Sequence, residues 1–305
     1  MPLSVSPQQI NRKPIMYSLY DVLISPFVDN PFMRRALVGT LVLALSSPPL
    51  GVLLTLRRMS LLGDALSHAV LPGVAIGYLL FGLSLPAMSV GGLCAGLAVV
   101  AVAGWVSRHT TLREDASLAA TYLVALALGV MLISSQGTQL DLLHILFGSV
   151  LAVDHDGLIL IAAVATLTLL LLAGFYRGLL LESFDPVFLA ASGRRGGFCQ
   201  QLFLLMIVLN LVAAFQTLGT LMAVGLMMLP AVCARLWCDS LVAQFCASVA
   251  IAMLASLSGL LLSYNFDLSS GPAIIVVLGL LYFFSLLMAP RGWLRPLLKR
   301  PHLRA

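Results

Sequence analysis

Two ionisable residues, Asp64 and His68, stand four apart inside residues 61–82, LLGDALSHAVLPGVAIGYLLFG, a stretch otherwise apolar and long enough to cross a bilayer. An ionisable pair within a span is costly, so it usually marks a pathway or a site. On a helix, positions i and i+4 lie on one face, one turn apart. A carboxylate and an imidazole on one face can grip a divalent transition metal. The same spacing also suits a plain buried Asp–His hydrogen bond, and spacing alone does not choose. As a metal site the pair is incomplete. A bound ion takes about four to six ligands, so carbonyls, water, another helix or a second subunit must supply the rest.

Several enzymatic chemistries lack their residues. The sequence contains no HExxH and no GxSxG, the signatures of a zinc protease and of a serine hydrolase. An aspartyl dyad needs two facing carboxylates, and Asp64 is the one acid that falls clearly inside a predicted span. A phosphate-binding Walker loop needs Lys followed by Ser or Thr. The two lysines here, Lys13 and Lys299, precede Pro14 and Arg300. The chain is not expected to be an enzyme of any of these kinds. If transport is ATP-driven, the ATPase is a separate polypeptide. The competing reading is an ATP-independent secondary transporter or channel for cations, with Asp64 and His68 as a proton or ion relay.

The elements that must position the pair are membrane helices. Of 305 residues, 60% are hydrophobic and 10% charged, and the mean hydropathy is +1.05. A soluble domain carries about 25% charged residues. The fold class is therefore all-α, a polytopic membrane protein. Its net charge of +5 reflects loop lysines and arginines and does not imply nucleic-acid binding. The five cysteines form no CxxC pair and predict neither a disulfide framework nor a zinc knuckle. Runs of about 20 apolar residues predict spans at 36–56, 61–82, 86–106, 116–134, 157–176, 202–218, 220–237, 241–264 and 272–289. That makes about nine, with eight to ten open because the break at Gly219 is weak. Residues 1–35 form an N-terminal segment with a short interfacial helix at 17–28. The membrane domain covers 36–289, and 290–305 is a basic tail.

Placing the C-terminus in the cytoplasm puts every Lys and Arg after residue 35 on the inner side, as the positive-inside bias requires. The outer loops then hold Asp141, His144, Asp154, His155, Asp156 and Asp267. A mouth with acids and imidazoles and no fixed positive charge concentrates cations. Asp141, His144 and Asp267 are accordingly weaker candidate metal residues. The same loops are also simply what remains when positive-inside bias empties them of Lys and Arg. Residues 135–156 contain an apolar part too short to cross, read as a re-entrant or outer interfacial helix.

The longest inner interruption, 177–201, contains an amphipathic piece at 185–192 ending at Gly193. Such a piece can dock in a groove of a soluble partner, or can be a solvated surface helix. Gly73-x-x-x-Gly77 and Gly92-x-x-x-Gly96 predict close helix packing. Pro72 and Pro230 predict kinks within their spans.

RRMSLLGDALSHAVLPGVAIGYLLFG, residues 57–82, resembles the signature of the manganese/zinc/iron permease family of ABC importers. The likeness extends to REDASLAATYLVALALGV at 113–130, QLDLLHILFGSVL at 139–151, FDPVFLAASG at 184–193, LGTLMAVGLMMLPAVCA at 218–234 and LSSGPAIIVVL at 268–278. The resemblance implies a cobalamin-importer-like helical bundle in a bacterial plasma (inner) membrane. It implies a second permease copy or paralogue across a translocation path, and a separate ATP-binding-cassette ATPase bound at Phe184, Asp185, Ala191 and Gly193. It also implies a periplasmic or lipid-anchored protein delivering zinc, manganese or iron, with Asp64 and His68 as path residues. The metal is then cargo, and no resident cofactor is expected.

Overall fold

The computed structural model describes residues 23–82, 84–111, 114–134, 153–184 and 196–291, within which all regular structure is helical. In chain order the helices are α1 Ser25–Asp29, α2 Pro31–Leu56, α3 Leu62–Ala69, α4 Leu71–Phe81, α5 Leu85–His109, α6 Glu114–Ser134, α7 His155–Phe184, α8 Gly196–Leu218, α9 Thr220–Trp237, α10 Leu241–Phe266 and α11 Ser270–Met288. Eight segments are long and apolar enough to cross a membrane, with α3 and α4 together counting as one, Leu62–Phe81. The apolar part of α6 is shorter, Ala116–Leu132. Its 21 residues still rise about 31 Å at 1.5 Å each, close to the thickness of a hydrocarbon core.

The centre of the bundle is α2. It starts where Pro31 can occupy the first helical turn without losing a needed hydrogen bond. It packs against α7, α8, α9 and α10. Gly39 of α2 meets Leu158 and Ile161 near the start of α7, and a Cβ at Gly51 would overlap the Met227 carbonyl of α9. Further along, Arg235 of α9 donates to the Thr55 carbonyl at 2.8 Å. These successive contacts make α2, α7 and α9 parallel neighbours. The second central helix is α8, with Phe203, Met206, Ile207, Val208 and Leu211 all buried.

Four polar side chains join these helices inside the core. The Ser46 and Ser47 hydroxyls of α2 donate to Asn210 Oδ1 of α8 at 2.9 and 3.4 Å. Asn210 Nδ2 donates to Thr168 Oγ1 of α7 at 2.7 Å and to the Met206 carbonyl at 3.0 Å. Interhelical hydrogen bonds in membranes average about 0.6 kcal/mol, with a maximum near 1.7, so the cluster contributes a few kcal/mol at most. Pro48 and Pro49 follow directly, and α2 continues through both.

The span carrying the Asp–His pair is broken at Val70, between α3 and α4. Pro72 has no N–H to give the His68 carbonyl, and its ring crowds that carbonyl. The chain re-starts with Gly73 and Val74 both donating to the Val70 carbonyl at 3.1 Å. The α4–α5 hairpin is held by close approach: a Cβ at Gly73 would overlap the Gly91 carbonyl. Gly92 and Gly96 sit against Val70, Val74 and Val208, so both glycine motifs mark packing faces as expected.

Two boundaries differ from the hydropathy reading. The helix predicted to end near Tyr176 continues to Phe184, and the next begins at Gly196. The polar interruption 177–201 is therefore helical at 177–184 and again at 196–201, while 185–195 lie outside the described residues. Of the predicted N-terminal helix only residues from Leu23 onward are described, and α1 is five residues long. The Gly219 break is present, with Gly219 at φ 92° between α8 and α9. Such a backbone favours glycine.

Candidate functional site

Leu62, Gly63, Ala65, Leu66, Ser67 and Ala69 of α3 are buried. What they leave uncovered is a stripe of Leu61, Asp64 and His68, continued on α4 by Pro72 and Ile76. The spacing of three to four residues is that of one helix face. The Asp64 side chain is 62% exposed and that of His68 28%. His68 Nε2 lies 3.8 Å from Asp64 Oδ1, beyond hydrogen-bond length. The pair thus shares a face without forming the structural hydrogen bond that its spacing also allowed. His68 Nδ1 is buried and has no hydrogen-bond partner among the described residues, an unmet demand that buried polar atoms rarely keep.

A cavity of about 260 Å³ opens beside Asp64, lined by the α2–α3 turn (Arg58, Met59) and by Leu118 and Tyr122 of α6. Arg58 adopts a left-handed backbone at φ 58°, a conformation that costs a non-glycine residue about 1–3 kcal/mol. A larger groove of about 640 Å³ between α5 and α8 is lined mainly by apolar side chains such as Leu97, Trp105 and Phe198 and contains no acid. It offers no carboxylate to a cation.

The other candidate residues are not gathered at this pair. Asp267 caps α10 with a left-handed backbone, φ 51°. It belongs to the end where Asn30 Nδ2 donates to the Tyr264 hydroxyl at 3.2 Å, whereas Asp64 follows the opposite end of α2. Asp141 and His144 lie outside the described residues. So do Asp185, Ala191 and Gly193 of the candidate docking segment, while Phe184, the last residue of α7, is 65% exposed. Asp154 serves its own helix, where its Oδ1 accepts from the Gly157 N–H at 2.8 Å and caps α7. Among the described residues no group of three or more His, Cys, Asp and Glu converges.

Sequence reasoning missed the arginines that fasten the end nearest Asp64. Arg57 Nε donates to Ser183 Oγ at 3.0 Å and Nη2 to the Leu179 carbonyl at 3.3 Å. Its guanidinium carbon lies 4.2 Å from the Phe203 ring centroid, a cation–π stack. Arg291 pairs with Asp239. The available signal was a basic residue immediately following a span. Asn210 was also missed, although a polar amide within a span is visible in the sequence.

The sequence profile of the ABC 3 transport family matches residues 29–289. The manganese import system permease protein ScaB of Streptococcus gordonii is 34% identical over 263 residues, covering 86% of this chain and 93% of the relative. The manganese transport system membrane protein MntC of Listeria innocua is 35% identical over 260 residues, covering 85% and 91%. Among solved structures, a chain of PsaBC from Streptococcus pneumoniae in complex with Fab superposes with a TM-score of 0.78 at 32% identity, over 88% of this chain and 97% of that one.

Proposed function

This chain belongs to the ABC 3 transport family and is a multi-pass membrane permease of the metal ABC transporter type; on that premise we propose that it imports a divalent transition metal, manganese(II) first, past Asp64 and His68. The observation that carries the reading is the stripe on α3. A helix buried on its other positions leaves a carboxylate and an imidazole uncovered one turn apart, with one imidazole nitrogen unsatisfied. Carboxylate oxygen suits manganese, and imidazole suits zinc and iron as well. Manganese is favoured over zinc and iron(II) because the relatives ScaB and MntC are named for it.

In this mechanism a binding protein delivers the ion to the outer mouth. The open stripe faces a second permease copy or paralogue, which supplies ligands that one chain lacks. A separate ATPase docks on the segment after Phe184, in a cytoplasm that also holds the C-terminus. The ATP-independent relay is disfavoured, because the chain's family is one of ABC permeases. Uptake of labelled manganese, zinc and iron(II), with and without this chain, tests the cargo. The expected result is a manganese deficit relieved by complementation; unchanged uptake of all three ions overturns the reading. The docking segment has its own test. Gly193→Trp and Asp185→Lys should give normal amounts of folded protein whose uptake falls several-fold, with ATP hydrolysis no longer linked to transport. Normal uptake in both variants removes the docking role.

A further inference from the structure

Arg57 and Arg58 are chemically identical neighbours with opposite fates. Arg57 is clamped by Ser183, the Leu179 carbonyl and the Phe203 ring. Arg58 is exposed, held at φ 58°, and lines the same cavity as Asp64. Among the described residues the ion-pair partner of Asp64 is His68, and no Arg58–Asp64 pair is formed. A bulky residue rarely adopts a left-handed backbone, and here that backbone sits at the edge of the cavity that Asp64 lines.

We propose that Arg58 is the internal counter-ion of the ion path: it takes over the Asp64 carboxylate when the metal leaves and opposes the metal's return from the basic end. The proposal rests on the reading of Asp64 and His68 as path residues. Its physics is charge replacement. Once a divalent cation departs, Asp64 is left as a carboxylate without its cation on the wall of the cavity that Arg58 also lines. A guanidinium is always protonated and presents a fork matched to a carboxylate. Lining the same cavity, it can restore neutrality without any proton or ion. The same charge repels a cation approaching from the side of the α2–α3 turn. Arg58 is thus a positioning residue that lowers equilibrium metal affinity and raises the barrier to passive leak through the basic end.

The test uses the full transporter, permease with its ATPase, in detergent and in proteoliposomes. Manganese(II) chloride is the probe. Arg58→Gly removes the charge while suiting the left-handed backbone, so it should fold at least as well as the parent. It is expected to bind manganese roughly five- to tenfold more tightly, as loss of a nearby like charge predicts. Proteoliposomes preloaded with manganese should also leak it several-fold faster through this variant without ATP. Arg58→Lys should recover most of both differences, which a purely backbone role of the turn would not produce. Asp64→Asn runs alongside. If it loses manganese binding while Arg58→Gly matches the parent in affinity and leak, the counter-ion role is wrong and the path stands. If Asp64→Asn binds manganese normally, the path reading fails and the counter-ion role fails with it.

Discussion

Asn210 and the Asp64–His68 pair are both polar insertions into membrane-crossing helices, and they end in opposite states. Asn210 is 1% exposed. Its oxygen accepts from Ser46 and Ser47 and its nitrogen donates to Thr168 and Met206. Asp64 and His68 are 3.8 Å apart, partly uncovered, and His68 Nδ1 has no partner. A polar group whose bonds are completed by neighbouring helices holds the bundle together. On the proposed reading, one whose bonds are left open is placed for an ion that comes and goes. Polarity within a span is therefore a weaker indicator of transport chemistry than the degree to which that polarity is satisfied.

The largest expected effects break the open side of this comparison. Asp64→Asn keeps shape and hydrogen-bonding capacity but removes charge, and His68→Gln removes the imidazole at similar size. Each should lower metal uptake by more than about 100-fold, beyond what loss of an indirect partner of a metal ligand does. Folded yield and ATPase binding should be unchanged. Normal uptake in both variants would make the pair structural.

The closed side predicts the reverse pattern. Asn210→Ala leaves two hydroxyls of α2 and one of α7 without their amide, so stability should fall by about 2–3 kcal/mol, read as a lower thermal midpoint in detergent. Uptake per folded molecule should stay near that of the parent. Uptake lost at full stability would place Asn210 in the path and erase the contrast. The smallest effect sharpens it: Ser46→Ala removes one of the four bonds and should cost about 0.6–1 kcal/mol, with no change in metal affinity.

Much of this was legible along the chain. The breaks at Gly219 and between α4 and α5, the glycine packing faces and the Asp64–His68 face all follow from local residue types. The end of α7 did not. Hydropathy falls at Arg177, but a helix's own hydrogen bonds do not stop at the edge of the apolar layer. Arg57 of another helix binds the Leu179 carbonyl and Ser183 within that extension. Asp267 was grouped with the acidic mouth by its loop, which says nothing of its distance from Asp64.

By itself the sequence determined which segments leave water and that each becomes a helix. A backbone in hydrocarbon must satisfy its own N–H and C=O groups, and that requirement acts on each segment in isolation. It did not determine which face of a helix turns inward, because the lipid and the core are both apolar. On α7, Ile161, Val164 and Thr168 face the core while Ile159, Leu167 and Leu170 do not, so the exposed set is the more apolar of the two and hydropathy does not mark the inner face. Only packing against α2 and α8 decided that Asn210 and Thr168 would meet and be sealed. Only packing on the other flanks of α3 decided that Asp64 and His68 would remain on its open stripe.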